Sequence, residues 1–380
     1  MHLCAGDGNF PRVFRIQHGT ICFLSLLVIQ AFFLIELRGG SADDWAKMER
    51  CKPKGYVAYR TVGLISIDGK LEERSWQDVP WTEYFADIEG DVRPQPPLRT
   101  RAKMLWDDEY FYIGAELEEP NVWGTLTNRD SVIFQDNDFE VFIDPNGDNH
   151  EYYEFEMNVL NTVWDLFLKK PYKDGGPALN EWDVAGLKTA VHVRGTLNDP
   201  RDADQGWSLE VAFPWKVLAE YAHRPAPPNH GDQWRVNFSR VEWRHEVVDG
   251  KYRKIPGTKE NNWVWSPQGI VDMHRPEKWA YVQFSTGGVG KTKFKPDPAS
   301  GAHELLHAIY YAEKDYQAEQ GRPAISLDAL GLKKRRWEGL VGTPQIQITP
   351  DGYWATVEIR VPGKQHQHWH IRQDAKVWME

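Results

Sequence analysis

An acidic turn flanked by two alternating segments constrains the fold of this chain more than any other feature. Residues 138–143 and 153–158 alternate apolar and polar side chains, and a Pro-Asn-Gly-Asp turn at 145–148 lies between them. Because successive side chains of a strand point to opposite faces, this pattern predicts an antiparallel hairpin. One face of the predicted hairpin is apolar enough to join a core. The other face carries four carboxylates and one amide, from Asp138, Glu140, Glu154, Glu156 and Asn158.

Short strand patterns separated by turn residues continue through the first three quarters of the chain. Their spacing is typical of an all-β protein and predicts an antiparallel β-sandwich of the jelly-roll or immunoglobulin-like kind over residues 62–286. The predicted strands outside the hairpin are 62–67, 99–105, 110–117, 162–168, 188–195, 206–214, 233–246 and 278–284.

The C-terminal part has a different pattern and predicts a small α+β module at 301–380. Apolar residues recur at helical spacing from Ala302 to about Gln320, and Gly321 is a typical helix stop. A small antiparallel meander follows. The Gly-rich segment within 287–300 lacks the spacing of a phosphate-binding loop and is interpreted as a linker.

Histidines alternate along one predicted strand of this meander, at 366, 368 and 370. That spacing could hold a metal, but polar residues on an exposed edge strand explain it equally well.

Residues 1–42 have the pattern of a secretory signal peptide. Basic residues precede an apolar run at 21–35, and small residues near Ala42 offer a cleavage site. We therefore expect a secreted or extracytoplasmic protein, with residues 43–61 as a linker. An uncleaved anchor in the membrane remains the alternative. A cleaved product would retain Cys51 alone and could form no internal disulfide.

Charge and composition narrow the class of partner. A formal net charge of -10 argues against nucleic acid, which requires a basic surface. The chain has 18 Trp, more than packing alone tends to require, which favours surfaces on which ligand rings can stack. The oligomeric state is not indicated.

Four segments in order, 67–73, 105–112, 137–145 and 206–215, resemble family 9 carbohydrate-binding modules and their DOMON-like relatives. The resemblance spans residues 62–284. It implies a β-sandwich that binds a glycan without reacting with it, often beside a domain that degrades polysaccharide.

The resemblance also implies a contact set. Glu140 matches the family's sugar-bonding Glu, Asn158 a polar position on the next strand, and Phe134 the first of two clamping rings. Glu156 stands where the family has an Arg. The second ring position falls near Met273 and His274, so Trp265, or Trp263 or Trp123, would have to supply that ring from a neighbouring loop.

The predicted turn also raises the question of a metal. Asp144, Asn146 and Asp148 resemble the opening of a calcium loop, but the sixth position lacks Gly and the twelfth lacks Glu, which excludes an EF-hand. A structural calcium ion of the family's kind remains an expectation, and a metal-free Asx turn is the alternative. No cofactor is otherwise required.

Two other functions remain open beside carbohydrate binding. A glycoside hydrolase would use a pair of carboxylates, and a haem domain would need Met273 with His274 or Met157. No G-x-S-x-G sequence indicates a serine hydrolase. The carboxylates available for a hydrolase are Glu140, Glu154, Glu156, Asp165, Glu210 and Glu242.

Overall fold

The computed structural model describes residues 40–333, 339–361, 363 and 365–380. Residues from Gly40 to Glu380 form one compact unit. Residues 1–39 of the predicted leader and the basic residues 334–336 lie outside the described residues. Within the part that is described, no helix is long and apolar enough to cross a membrane.

Four α-helices and 19 strands make up the described unit. The helices are α1 Ala42–Met48, α2 Arg74–Asp78, α3 Trp215–Leu218 and α4 Ser300–Gln320. The strands are β1 Gly55–Arg60, β2 Ala86–Asp87, β3 Thr100–Trp106, β4 Tyr110–Glu118, β5 Asp138–Asp144, β6 Tyr152–Asn158, β7 Val163–Leu168, β8 Ala178–Leu179, β9 Lys188–Arg194, β10 Gly206–Pro214, β11 Gln233–Glu242, β12 His245–Val248, β13 Lys251–Lys254, β14 Asn261–Val264, β15 Ala280–Ser285, β16 Leu340–Thr349, β17 Gly352–Ile359, β18 Gln367–Arg372 and β19 Val377–Met379.

The predicted β-sandwich is confirmed. One continuous sheet runs in the order β8-β7-β6-β5-β11-β15-β1-β3-β4-β10-β9, with β14 and β2 added beside β11. Its two halves face each other across a single apolar core, where, for example, Phe155 on β6 meets Phe213 on β10 edge-on at 5.4 Å. The alternation of each strand therefore gives one face to the core and the other to the outside.

Strand β1 departs from the prediction of a purely antiparallel sheet. It pairs in parallel with both β15 and β3 and joins the two halves of the sandwich. The segment 43–61, predicted as a linker, thus contains α1 and β1. The strand predicted at 62–67 is irregular instead, because its apolar residues Val62 and Leu64 are exposed rather than packed.

The C-terminal residues form their own core between α4 and the sheet β16-β17-β18-β19. The helix ends as predicted at Gly321, which adopts the left-handed conformation. Trp45 and Met48 of α1 are buried in the same core. Ser41 caps α1 through its side chain, so this helix overlaps the predicted end of the leader at residue 42.

The alternating histidines in β18 and just before it have separate partners. His370 stacks on Trp378 at 5.0 Å and shares a hydrogen bond with Thr356, whereas His366 contacts Glu358. These separate contacts do not gather the histidines around one ion, but β18 lies between β17 and β19, so the predicted edge strand is wrong as well.

Candidate functional site

The outer face of β5 and β6 brings three carboxylates together. Glu140 lies directly opposite Glu156 in the strand register, and Asp138 is the next residue on the same face of β5. Carboxylate oxygens of these three residues lie within 4.8 Å of one another. Asp138, Glu140 and Glu156 are called the carboxylate cluster below. The sequence predicted two of them as site residues and omitted Asp138, although its spacing from Glu140 places it on the same face.

The cluster is enclosed and strongly acidic. Its side chains are 0%, 5% and 1% exposed, in chain order. Burial raises the pKa of Glu140 to about 7. Burial, reinforced by the neighbouring carboxylates, raises the pKa values of Asp138 and Glu156 well above their ordinary values. Without a compensating charge these groups favour the protonated state.

Phe134 lies at the edge of the cluster, as the resemblance implies. It is half-buried in a short 3-10 helix, Ile133–Gln135, and its N–H donates to Glu156 Oε2 at 2.9 Å. Trp243 donates from Nε1 to the Phe134 carbonyl at 2.8 Å, which places a second ring beside it. Sequence reasoning missed Trp243 because it assigned residues 233–246 to one strand, whereas β11 ends at Glu242 and Trp243 lies beyond it.

A groove of about 430 Å³ begins at Trp243. Asn261, His245 and Trp263 line it together with a proline-rich loop at 94–97. The groove therefore combines apolar rings with amide and imidazole groups, which are the components that a hydroxylated ring ligand needs.

Asn158 does not belong to the contact set. Its Oδ1 accepts from the N–H groups of Leu160 and Thr162 at 3.0 and 3.1 Å. Its Nδ2 donates to the Leu126 carbonyl at 2.8 Å and to Asp136 Oδ2 at 3.0 Å. All four hydrogen bonds of the amide are used to hold neighbouring loops, so it has none left for a ligand.

Trp265 is also placed differently from the prediction. It is fully buried in the sandwich core, stacked on Phe238 at 5.7 Å, and its Nε1 donates to Glu83 at 3.1 Å. It therefore supplies no clamping ring.

Met273 and His274, at the predicted position of the second ring, point to different surroundings. Met273 packs into a small apolar cluster with Trp279. His274 instead reaches the acidic face, with Nε2 at 3.9 Å from Glu154 Oε1 and Nδ1 accepting from Tyr152 at 2.9 Å. Burial lowers the pKa of His274 to about 4, so the ring is neutral near pH 7.

Three of the other hydrolase candidates have structural partners. Asp165 pairs with Arg129 and accepts from the N–H of Val184, and Glu242 pairs with Arg240 at 2.7 Å. Glu210 accepts from the N–H groups of Asp68 and Gly69. Glu154 lies on the same face of β6 as Glu156, so the candidates on β5 and β6 share one face of the sheet.

The haem interpretation is not supported by the positions of its ligands. Met157 is buried in the sandwich core, whereas His274 lies against the opposite face of the sheet, among Phe142 and Tyr152. Met157 and His274 are thus not directed into one pocket, and Met273 is packed against Trp279.

The oxygens of the predicted calcium turn are taken up by hydrogen-bond donors. Asp144 accepts from the N–H groups of Gly147 and Asn149 at 2.8 and 2.9 Å. Asp148 accepts from the His150 N–H, and the Lys376 ammonium lies 3.3 Å from its other oxygen. N–H groups and a lysine converge where a cation would have to bind, so these residues do not fit calcium and form the Asx turn of the alternative.

Comparison with known proteins finds one family model that matches the central segment. Residues 67–229 match the sequence model of the family described as Carbohydrate family 9 binding domain-like. Exoglucanase XynX of Acetivibrio thermocellus is 29% identical over 163 residues, and Endo-1,4-beta-xylanase A of Thermoanaerobacterium saccharolyticum is 24% identical over 165 residues. Each match covers 43% of this chain and 12% of the relative, so the chain spans about an eighth of their length.

Solved structures resemble the chain at low identity. A putative carbohydrate-binding protein from Bacteroides uniformis has a TM-score of 0.45 and 16% identity, and covers 62% of this chain and 100% of its own. A family 9 module from Caldicellulosiruptor kristjanssonii in complex with cellotriose has a TM-score of 0.39 and 14% identity, and covers 64% and 100%.

Proposed function

We propose that this chain, whose residues 67–229 form a family 9 carbohydrate-binding domain-like region, binds glycans without altering them and serves polysaccharide degradation. The match of that segment to the family is the observation that carries the proposal. The segment includes β5 and β6, the strands that build the acidic face, and the Phe134 turn at its edge. The names of the relatives, an exoglucanase and a xylanase, point to β-linked glucan or xylan as the ligand.

The rings at the edge of the acidic face supply the expected binding chemistry. Sugar rings present C–H faces that stack on aromatic rings, and their hydroxyls need a few oriented polar groups. Phe134 and Trp243 are both half-buried, and the Lys254 ammonium lies over the Trp243 ring at 3.9 Å from its centroid, so at most one face of that ring is left for a sugar to stack on. The adjacent groove lined by Asn261 and His245 provides the polar groups.

A non-catalytic role agrees with the state of the carboxylates. A glycosidase needs two carboxyl groups that reach a bound sugar from either side. Here Glu140 and Glu156 lie side by side on adjacent strands, and the Glu140 Oε2 atom is enclosed and has no hydrogen-bond partner. This arrangement leaves no space between them for a glycosidic bond.

Calorimetric titration with xylohexaose and cellohexaose tests the proposal. We expect measurable binding of one of them and no release of reducing sugar. Phe134→Ala and Trp243→Ala should each weaken binding by about 1–3 kcal/mol, the size of stacking losses on aromatic platforms. Trp354→Ala, which removes an exposed ring from β17 in the C-terminal module, is the matched control and should bind normally.

Two results would contradict the proposal. The first is the absence of binding to either oligosaccharide by the unaltered protein. The second is an equal loss of affinity in Trp354→Ala, which would move the binding surface to the C-terminal module.

A further inference from the structure

We propose that the carboxylate cluster, together with the hydroxyl of Ser239, binds a hard divalent cation. The inference does not depend on glycan binding, because it follows from the oxygens and charges of the acidic face alone.

The first observation is geometric. Oxygens from Asp138, Glu140 and Glu156 converge within 4.8 Å of one another, close enough to share one ion. The three residues lie on two paired strands of the sandwich, which fix their backbones. Such a site needs no rearrangement of a loop to assemble.

The second observation is an unpartnered hydroxyl directed at the same place. Ser239 on β11 lies directly opposite Glu140, so its side chain is on the same face of the sheet. It is 0% exposed, and its Oγ lies close enough to Glu140 to lower the pKa of that carboxyl but makes no hydrogen bond of good geometry within the protein. Asp138 Oδ2 and Glu140 Oε2 are likewise enclosed without a partner. Buried polar atoms are seldom left unsatisfied, so these oxygens indicate a missing ligand.

The third observation is the lack of a counter-charge. Two other buried acids of this protein have one: Lys173 and Lys314 contact Asp174, and Arg240 contacts Glu242. The groups that act on the cluster are further carboxylates, Glu154 and Glu260 among them. Enclosed charges of one sign require a partner of the other sign, and a bound cation provides it.

The second acidic group of the molecule shows the contrast. Asp130, Asp165 and Asp183 also converge, but Arg129 forms ion pairs with all three. That group is partly neutralised from within the chain, by a positive charge that the carboxylate cluster lacks.

The donor set decides the class of ion. Carboxylate and hydroxyl oxygens are the ligands of Ca²⁺, Mg²⁺ and Mn²⁺, whereas Zn²⁺ and Cu²⁺ prefer imidazole or thiolate. The site therefore suits a hard cation with water completing its coordination.

Metal titration of the full chain after chelation tests the proposal. Terbium luminescence is a direct readout, because Trp164 lies opposite Glu156 in the register and can sensitise a nearby ion. We expect terbium emission that Ca²⁺ or Mn²⁺ displaces, and a higher Tm on adding either metal. Glu156→Gln should weaken metal binding by about 10-fold or more, as loss of a metal's supporting groups does.

A reversal of stability distinguishes a metal site from a merely structural role. Glu156→Gln removes like-charge repulsion between buried carboxylates, so in chelator the variant should have a higher Tm than the unaltered protein. With metal present the order should reverse, and the unaltered protein should have the higher Tm. Ser239→Ala provides a milder test that retains all three carboxylates, and should also weaken terbium binding. Asp183→Asn, in the group that contacts Arg129, is the matched control and should leave terbium binding unchanged.

Three results would overturn the proposal. One is the absence of any metal-dependent emission or Tm change in the unaltered protein. Another is emission in Glu156→Gln and Ser239→Ala that equals the emission of the unaltered protein. The third is emission lost in Asp183→Asn or Asp148→Asn but kept in Glu156→Gln, which would place the ion elsewhere.

Discussion

Glu210 is a buried carboxylate whose hydrogen bonds assign it a structural role. Its Oε2 accepts from the N–H groups of Asp68 and Gly69 at 2.8 and 2.7 Å, and its Oε1 accepts from Trp76 Nε1 at 2.7 Å. Gly69 has a positive φ and packs closely against the backbone of β9, so the turn depends on glycine at this position. Glu210 thus anchors the turn before α2 to β10.

Glu210→Gln should lower the free energy of unfolding by about 1–3 kcal/mol. The amide presents one N–H₂ group where the carboxylate presented an acceptor, so at least one buried N–H loses its partner. Urea denaturation measures the change. Glu116→Gln on the neighbouring β4, which removes a surface ion pair with Arg101, should cost only about 0–1 kcal/mol. Equal stability of the two variants would refute the structural role.

The placement of single side chains was the part that sequence predicted least well. Asn158 was expected at the site because of its position on the strand, but its partner Leu126 lies 32 residues away in a loop. Trp265 was expected on a loop, but it lies in the core. Glu140 and Glu156 were placed together correctly, because the register of a short hairpin follows from the local pattern.

At the level of elements, a buried polar network fastens α4 to the sandwich. Asp174, after β7, contacts Lys173 at 2.8 Å, Lys314 at 2.9 Å and the hydroxyl of Tyr310 at 2.6 Å. These charges hold the pKa of Asp174 well below its usual range despite its burial. The network links the C-terminal module to the sandwich through charged contacts.

Asp174→Asn should lower the free energy of unfolding by about 3–5 kcal/mol, because it leaves two ammonium groups facing an uncharged amide. Guanidinium denaturation followed by Trp fluorescence measures this loss. Glu319→Gln, at an exposed position on the same helix, is the control and should change stability by less than about 0.5 kcal/mol. A loss for Asp174→Asn no larger than that of the control would show that the network does not fasten the helix.

Elements were predicted well where their signal is local. The hairpins β3-β4 and β5-β6 and the helix α4 were found within one or two residues, since alternation and a Gly stop are visible in a short window. Strand β1 was missed, because its partner β15 lies more than 200 residues away in the chain. Nothing in the local pattern indicates a parallel partner at that distance.

Across the whole molecule, the turn between β5 and β6 joins the two cores. Asn149 in this turn donates from Nδ2 to the Ala375 carbonyl at 2.8 Å and to His307 Nε2 at 2.9 Å. The Nδ1 of His307 lies 2.7 Å from the His303 carbonyl and therefore donates to it. With both nitrogens engaged in this way, His307 must be neutral for the C-terminal module to remain docked on the turn.

Stability should therefore fall with acidification through His307. Burial lowers the pKa of His307 to about 3, below the ordinary 6.5, so the folded state binds fewer protons than the unfolded one. The contribution is complete above pH 6.5 and is lost as pH falls towards 3, which amounts to about 2 kcal/mol at pH 5. Other buried groups shift stability in the opposite direction, since burial raises the pKa of Asp144 to about 7. The comparison with His307→Gln isolates the histidine, because the amide keeps an acceptor for Asn149 but cannot be protonated.

The stability advantage of the unaltered protein over His307→Gln should shrink by about 2 kcal/mol between pH 7.5 and pH 5 in urea titrations. His230→Gln, at an exposed position, serves as the control and should show a much smaller change over the same range. If the stability difference between the unaltered protein and His307→Gln does not vary with pH, protonation of His307 does not control the docking of the C-terminal module.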